Sequence, residues 1–127
     1  DLMKIHRSIG LGITKNNIDM AAHLTPKKEA EVILTGRDMN RDLYKAIHHV
    51  LRCYRDYLGI KSFNMAIWIP EDTPEWRYFP TVVRLVSRGD PMNKTSDIGA
   101  MELYAASVIS TDPYTVAHQL ARKGITI

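Results

Sequence analysis

The segment from residue 38 to residue 58 constrains the fold more than any other part of this sequence. Apolar side chains recur in it at steps of three and four residues: Leu43, Ile47, Val50, Leu51, Tyr54 and Leu58. This spacing places them on one face of an amphipathic helix, with Lys45, His48, Arg52, Arg55 and Asp56 facing away. Gly59 follows directly and suits the left-handed conformation that ends many helices. The pattern therefore predicts one long helix with a buried face, followed by a core strand.

Two β-prone segments follow the predicted helix. Residues 62–69 are apolar, and residues 78–87 contain the run Val82-Val83-Arg84-Leu85-Val86. Prolines and acidic residues between them, over 70–74, indicate a turn. These features predict an antiparallel hairpin. Its large aromatic side chains are expected to cluster in a core or an interface, and they are Trp68, Trp76 and Tyr78.

The two ends of the chain carry shorter patterns. Residues 9–13 alternate apolar side chains with glycine and residues 30–34 form an apolar run, so both are predicted to be strands. Asp97 is suited to cap a helix over 98–110. Pro113 favours the first turn of a last short helix, which Gly124 would end. Together these elements predict an α+β fold.

Composition and charge exclude several classes of protein. The 127 residues, 45% of them hydrophobic, fit a single domain over 1–127. The lone cysteine, Cys53, cannot form an internal disulfide, which favours a reducing compartment and a cytoplasmic location. No apolar run approaches the roughly 20 residues that cross a bilayer, so no membrane partner is expected. The formal charge of +3 is scattered, which argues against nucleic acid and suits a small anionic ligand.

The histidines do not form a recognisable catalytic or metal-binding motif. They are His6, His23, His48, His49 and His118. Consecutive helix positions point about 100° apart, so His48 and His49 are expected to be solvated side chains rather than ligands of one ion. His23 either contacts phosphate or is a partly buried strand histidine. Cys53 is expected to be a buried, unreactive thiol, and no catalytic residue, metal or cofactor is predicted.

Basic side chains suggest a phosphate-binding surface. Lys27 and Lys28 precede the long helix, while Arg84 and Arg88 bracket the end of the hairpin. Ammonium groups and forked guanidinium donors suit a diphosphate, and Asn64 could hydrogen-bond a sugar or a base. The alternative is that these side chains are simply solvated.

Four short motifs occur along the chain in a characteristic order. They are AHLTPKKE at 22–29, SFNMAI at 62–67, FPTVVR at 79–84, and IGAMEL at 98–103 followed by DP at 112–113 and VAHQL at 116–120. Over residues 13–123 this order resembles the histidine-triad superfamily, in particular the second half of its galactose-1-phosphate uridylyltransferase branch. The resemblance implies an antiparallel sheet with one long amphipathic helix and two short C-terminal helices. It also implies that the two basic pairs approach each other.

The chain differs from this family in the stretch that carries the catalytic histidines of the family. Family members use a histidine nucleophile in a cluster on a strand, but Tyr78, Phe79, Pro80 and Thr81 occupy the corresponding stretch here. The family can also place histidine metal ligands on that strand, and we expect no metal for the same reason.

The resemblance then implies a non-catalytic C-terminal half of a nucleotidyltransferase or nucleotide-sugar phosphorylase of carbohydrate metabolism, inactive as this chain alone. Its expected partners are a nucleotide or sugar phosphate and an N-terminal half-domain or second subunit. Two alternatives stay open: a stand-alone binding or assembly module, and a small hydrolase with an unrecognised site.

Overall fold

The computed structural model describes residues 1–89 and 111–122. Within these ranges five strands form one antiparallel sheet in the order β1-β2-β3-β5-β4. The elements are α1 (Leu2–Ser8), β1 (Gly12–Lys15), β2 (Ile18–Ala22), β3 (Val32–Gly36), α2 (Arg41–Tyr57), β4 (Phe63–Trp68), a 3-10 turn (Pro74–Trp76), β5 (Thr81–Ser87) and α3 (Pro113–Leu120). The predicted α+β class is confirmed, and so is the antiparallel pairing of β4 with β5.

The long helix α2 has the predicted buried face. The side chain of Asn40 caps it by accepting a hydrogen bond from the Leu43 N–H at 2.9 Å. Leu43, Val50 and Tyr54 are buried on the sheet, and burial of an aliphatic side chain such as Leu43 or Val50 contributes about 1.5–3 kcal/mol. Gly59 has a φ of 65°, the left-handed conformation expected after the helix.

The core lies between one face of the sheet and helices α2 and α3. Alternate residues of the central strands point to this face, and they are Ile18, Met20, Val32, Leu34, Val83 and Leu85. Helix α3 adds Val116 and Leu120. The Tyr54 hydroxyl donates to the Ala30 carbonyl at 2.6 Å, and burial raises the pKa of that hydroxyl.

The opposite face of the sheet is partly covered by α1, which the sequence did not predict. Asp1 caps this helix, accepting from the Met3 N–H at 2.9 Å. Met3 packs on Ala21 and Ile33, and the helix lies against β1 and β2. Strand β1 therefore begins only at Gly12, and β2 over Ile18–Ala22 was missed. Asn16 and Asn17 turn between the two strands with φ values of 52° and 62°.

Two other predictions were wrong. Strand β4 is an edge strand rather than a core strand: Phe63, Met65 and Ile67 are 41%, 43% and 40% exposed. His49 is buried rather than solvated, since α3 packs beside it and its Nε2–H donates to the Leu120 carbonyl at 2.7 Å.

The remaining predictions concern Cys53, the C-terminal helices and membrane-spanning segments. Cys53 is buried, as expected. The predicted helix over 98–110 lies outside the described residues, and so does Gly124, the predicted end of the last short helix. Within residues 1–89 and 111–122, no helix has the length and apolar character to traverse a bilayer.

Candidate functional site

The five predicted binding residues come together at one end of the sheet. Lys27 and Lys28 lie in the connection between β2 and β3, Asn64 near the start of β4, and Arg84 and Arg88 towards and just beyond the end of β5. Since β3 runs antiparallel to β5, and β5 to β4, the start of β3, the start of β4 and the end of β5 lie at the same end of the sheet.

Backbone hydrogen bonds hold this end together. The Ser87 N–H donates to the Glu29 carbonyl at 2.9 Å, and the Arg88 N–H donates to the Ser62 carbonyl at 2.9 Å. The β2–β3 connection and the two hairpin strands are therefore joined where the basic side chains lie.

A buried carboxylate, Glu31, organises this basic end. Its side chain is fully buried and forms an ion pair with Arg84, whose own side chain is 44% exposed. The Arg84 Nε donates to Oε1 at 2.9 Å, its Nη2 donates to the same oxygen, and the Lys27 backbone N–H donates to Oε2 at 2.7 Å. The carboxylate thus fixes the guanidinium at the surface and compensates its charge.

Two histidines lie beside this ion pair. The His6 Nδ1–H donates to the Leu2 carbonyl at 2.7 Å while Nε2 accepts from the Leu24 N–H at 3.0 Å. The His23 ring meets the His6 ring edge-on, with centroids 5.4 Å apart. The structure thus places His23 as the partly buried histidine of the sequence analysis.

The surroundings of His23 make it a donor rather than a nucleophile. Its Nδ1 accepts from the Thr25 N–H at 3.1 Å, which leaves the proton of the neutral ring on Nε2. Burial lowers the pKa of His23, opposed by Glu31, so the ring is neutral near pH 7. A neutral imidazole with Nε2–H can donate to a phosphate oxygen, but its lone pair is occupied.

The stretch over 78–81 is largely apolar and aromatic. Phe79 packs edge-on against Trp76 and Trp68, with ring centroids 4.9 and 6.1 Å apart. The predicted aromatic cluster therefore contains Phe79 in place of Tyr78, which is 89% exposed. Within the described ranges no group of three or more histidine, cysteine, aspartate or glutamate side chains is placed to hold a metal ion.

A cavity of about 540 Å³ lies at the opposite end of the sheet. Its lining includes Arg37, Arg77, Tyr78 and Asp19, and an adjoining cavity of about 500 Å³ shares the two arginines. Sequence reasoning missed both arginines, because neither belongs to a motif and only the sheet brings them together. None of the five predicted binding residues lines either cavity.

Comparison with known proteins gives the class of fold and no more. No protein-family model and no curated protein matches this chain. Among solved structures, a uridylyltransferase superposes with a TM-score of 0.66 at 17% identity over 93% of this chain, and a uridylyltransferase mutant with 0.62 at 18% over 87%. The open antiparallel sheet and its helices thus give this chain an α+β fold. Its fold is uridylyltransferase-like, and it spans only 42% and 41% of those two chains.

Proposed function

We propose that this chain is the non-catalytic C-terminal half of a histidine-triad-like nucleotidyltransferase, of the galactose-1-phosphate uridylyltransferase type, and helps to shape a nucleotide-sugar pocket. The observation that carries the proposal is the likeness to two uridylyltransferases over about two fifths of their length. A chain that superposes on less than half of each of these proteins is consistent with one half of an active site that is built from two parts.

The non-catalytic role is supported by the described residues that stand where the family has its histidine cluster. Phe79 and Thr81 stand in this stretch, and neither side chain contains an imidazole; Phe79 belongs to an aromatic cluster and Thr81 is buried. Both histidines beside the basic end have their lone pairs engaged: the Nδ1 of His23 accepts from the Thr25 N–H, and the Nε2 of His6 accepts from the Leu24 N–H. Catalysis would therefore require a histidine from the other half.

The basic end is suited to bind a diphosphate without performing chemistry on it. Lys27 and Lys28 lie in the β2–β3 connection, Arg84 and Arg88 in and just after β5, and exposed Asn64 adds an amide from β4. Glu31 already holds two donor groups of Arg84, which leaves the outer N–H groups of the guanidinium for a ligand. Charge-assisted hydrogen bonds from several donors would hold the diphosphate of a nucleotide sugar.

The exposed edge of the sheet favours an interaction with a partner domain. Strand β4 presents Phe63, Met65 and Ile67 half-exposed at the edge. Sheet edges with apolar side chains are usually covered in the functional protein. An N-terminal half-domain or a second subunit would cover this strand.

A nuclear magnetic resonance titration of the full chain with uridine diphosphate glucose tests the proposal. We expect the resonances of Asn64, Arg84 and Arg88 to move together, and binding to weaken with added salt because charge pairing supplies much of it. Arg88→Gln should weaken binding about tenfold, as expected for loss of one charged hydrogen-bonding group. Arg55→Gln, an equal change of charge on the exposed face of α2, is the matched control. A titration to millimolar ligand that moves none of the three residues would contradict the proposal and favour an assembly module.

A further inference from the structure

We infer that the cavity bordered by Arg37 and Arg77 is a second ligand site, which takes a phosphate ester that carries an aromatic or heteroaromatic ring. Its volume of about 540 Å³ is that of a small-molecule site. This cavity lies apart from the basic end, since Arg37 and Glu31 flank opposite ends of β3, about 20 Å apart at the rise of an extended strand.

The sheet register places Arg37 at the cavity. Gly36 pairs with Thr81, so the next residues, Arg37 and Pro80, emerge side by side where β3 ends and β5 has not yet begun. A Cβ on Gly36 would lie 2.8 Å from the Ile18 Cδ1, so glycine permits this close packing beneath the cavity. Arg37 itself is exposed and forms no hydrogen bond or ion pair with any other described residue.

A tight turn presents Arg77 and Tyr78 to the same cavity. The Phe79 N–H donates to the Trp76 carbonyl at 3.0 Å, so Arg77 and Tyr78 are the two central residues of the turn. Trp76 and Phe79 are anchored by their edge-on contact with each other and with Trp68. The turn is thus fixed at both ends while its arginine and tyrosine remain exposed.

The local charge favours an anion in this cavity. Arg77, like Arg37, has no ion-pair partner among the described residues, and guanidinium groups bind phosphate through paired donors. Asp19 also lines the cavity, but Arg7 compensates its charge at 2.5 Å and the Thr14 hydroxyl donates to it. The adjoining cavity shares both arginines but adds three carboxylates, Asp38, Glu71 and Asp72. These carboxylates outnumber the arginines there, so the first cavity is the more favourable place for a phosphate.

The exposed ring of Tyr78 is the reason that we expect the phosphate ester to carry an aromatic or heteroaromatic ring. Its side chain is 89% exposed although the aromatic cluster lies directly beside it. A large ring kept in water at the rim of a cavity provides a surface for stacking. A phosphate between the two arginines would bring an attached ring over Tyr78.

Calorimetric titrations of the full chain with phenyl phosphate and with methyl phosphate test this inference. We expect phenyl phosphate to bind more tightly, and Arg37→Gln and Arg77→Gln each to weaken it about tenfold. Arg55→Gln, with the same change of charge on α2, should have no effect. Tyr78→Leu should abolish the preference for phenyl over methyl phosphate while methyl phosphate binding persists.

Other outcomes would overturn the inference. Equal weakening by Arg55→Gln would mean non-specific charge attraction, and undiminished binding in both arginine variants would place the ligand elsewhere. If phenyl phosphate affinity falls only in Arg88→Gln, the anion binds at the opposite sheet end. These positions are exposed, so the variants should fold, which thermal melts will check.

Discussion

Replacing Arg84 by methionine should destabilise the protein because it leaves the buried Glu31 carboxylate without its ion-pair partner. Methionine keeps much of the aliphatic stem, whereas the guanidinium bonds to the Glu31 Oε1 are lost. Removing one partner of a fully buried ion pair costs about 3–5 kcal/mol. Arg84 is 44% exposed and Oε2 keeps the Lys27 N–H at 2.7 Å, so we expect a lower cost of about 2 kcal/mol.

Urea unfolding at pH 7 measures this cost. With a slope of about 1–3 kcal/mol per molar urea, the midpoint should fall by about 1 M. The double variant Glu31→Gln/Arg84→Met should be more stable than Arg84→Met alone, because it removes the unpaired charge as well. A loss below about 0.5 kcal/mol in Arg84→Met, or a double variant whose cost equals the sum of the single ones, would refute this reasoning.

Three further predictions concern the helical core. Ile47→Ala should lower the free energy of unfolding by about 2–5 kcal/mol, while Lys45→Ala on the exposed face should change it by less than about 0.5 kcal/mol; equal effects in urea melts would mean that the helix face is misassigned. Burial lowers the pKa of His49, so the folded state favours the neutral ring; stability should be complete above the unfolded pKa of about 6.5 and fall as the pH decreases through it. His49→Gln should flatten that acid limb, and an unchanged pH profile would contradict the assignment. Burial raises the pKa of the Cys53 thiol to about 11, so alkylation at pH 8 should be slow in the native protein and rapid in urea; rapid native labelling would show that the thiol is accessible.

The elements predicted correctly are those that local sequence determines. The three- and four-residue spacing of Leu43, Ile47 and Val50 depends only on the geometry of α2. The start of α3 is equally local, since Asp112 caps it by accepting from the Tyr114 N–H at 2.9 Å, with Pro113 in the first turn. The hairpin followed from two β-prone runs separated by a proline-rich turn.

The features that were missed depend on contacts between distant parts of the chain. His49 is buried by a residue 71 positions away, and Arg84 is paired with one 53 positions away. Glu31 stands just before an apolar strand, and an acidic residue in that position is the one sequence signal that could have suggested a buried ion pair. Arg37 carries no comparable signal, because its place at the cavity depends on the β3–β5 register.

The candidate site was predictable only in part. The basic residues could be selected from charge and order, and the sheet does gather Lys27, Arg84 and Arg88 at one end. The carboxylate that orients Arg84, the hydrogen bond that fixes His23, and the cavity at the opposite end all require the folded structure.

Phosphorus magnetic resonance of a mixture of the purified chain, uridine diphosphate glucose and galactose 1-phosphate tests both parts of the proposed function, because one spectrum reports binding and turnover together. We expect the diphosphate resonances to shift and broaden when the chain is present, Arg88→Gln to diminish this effect, and no product resonances to appear. Diphosphate resonances that stay unchanged, or product formation that His23→Asn or His118→Asn abolishes, would contradict the proposed function.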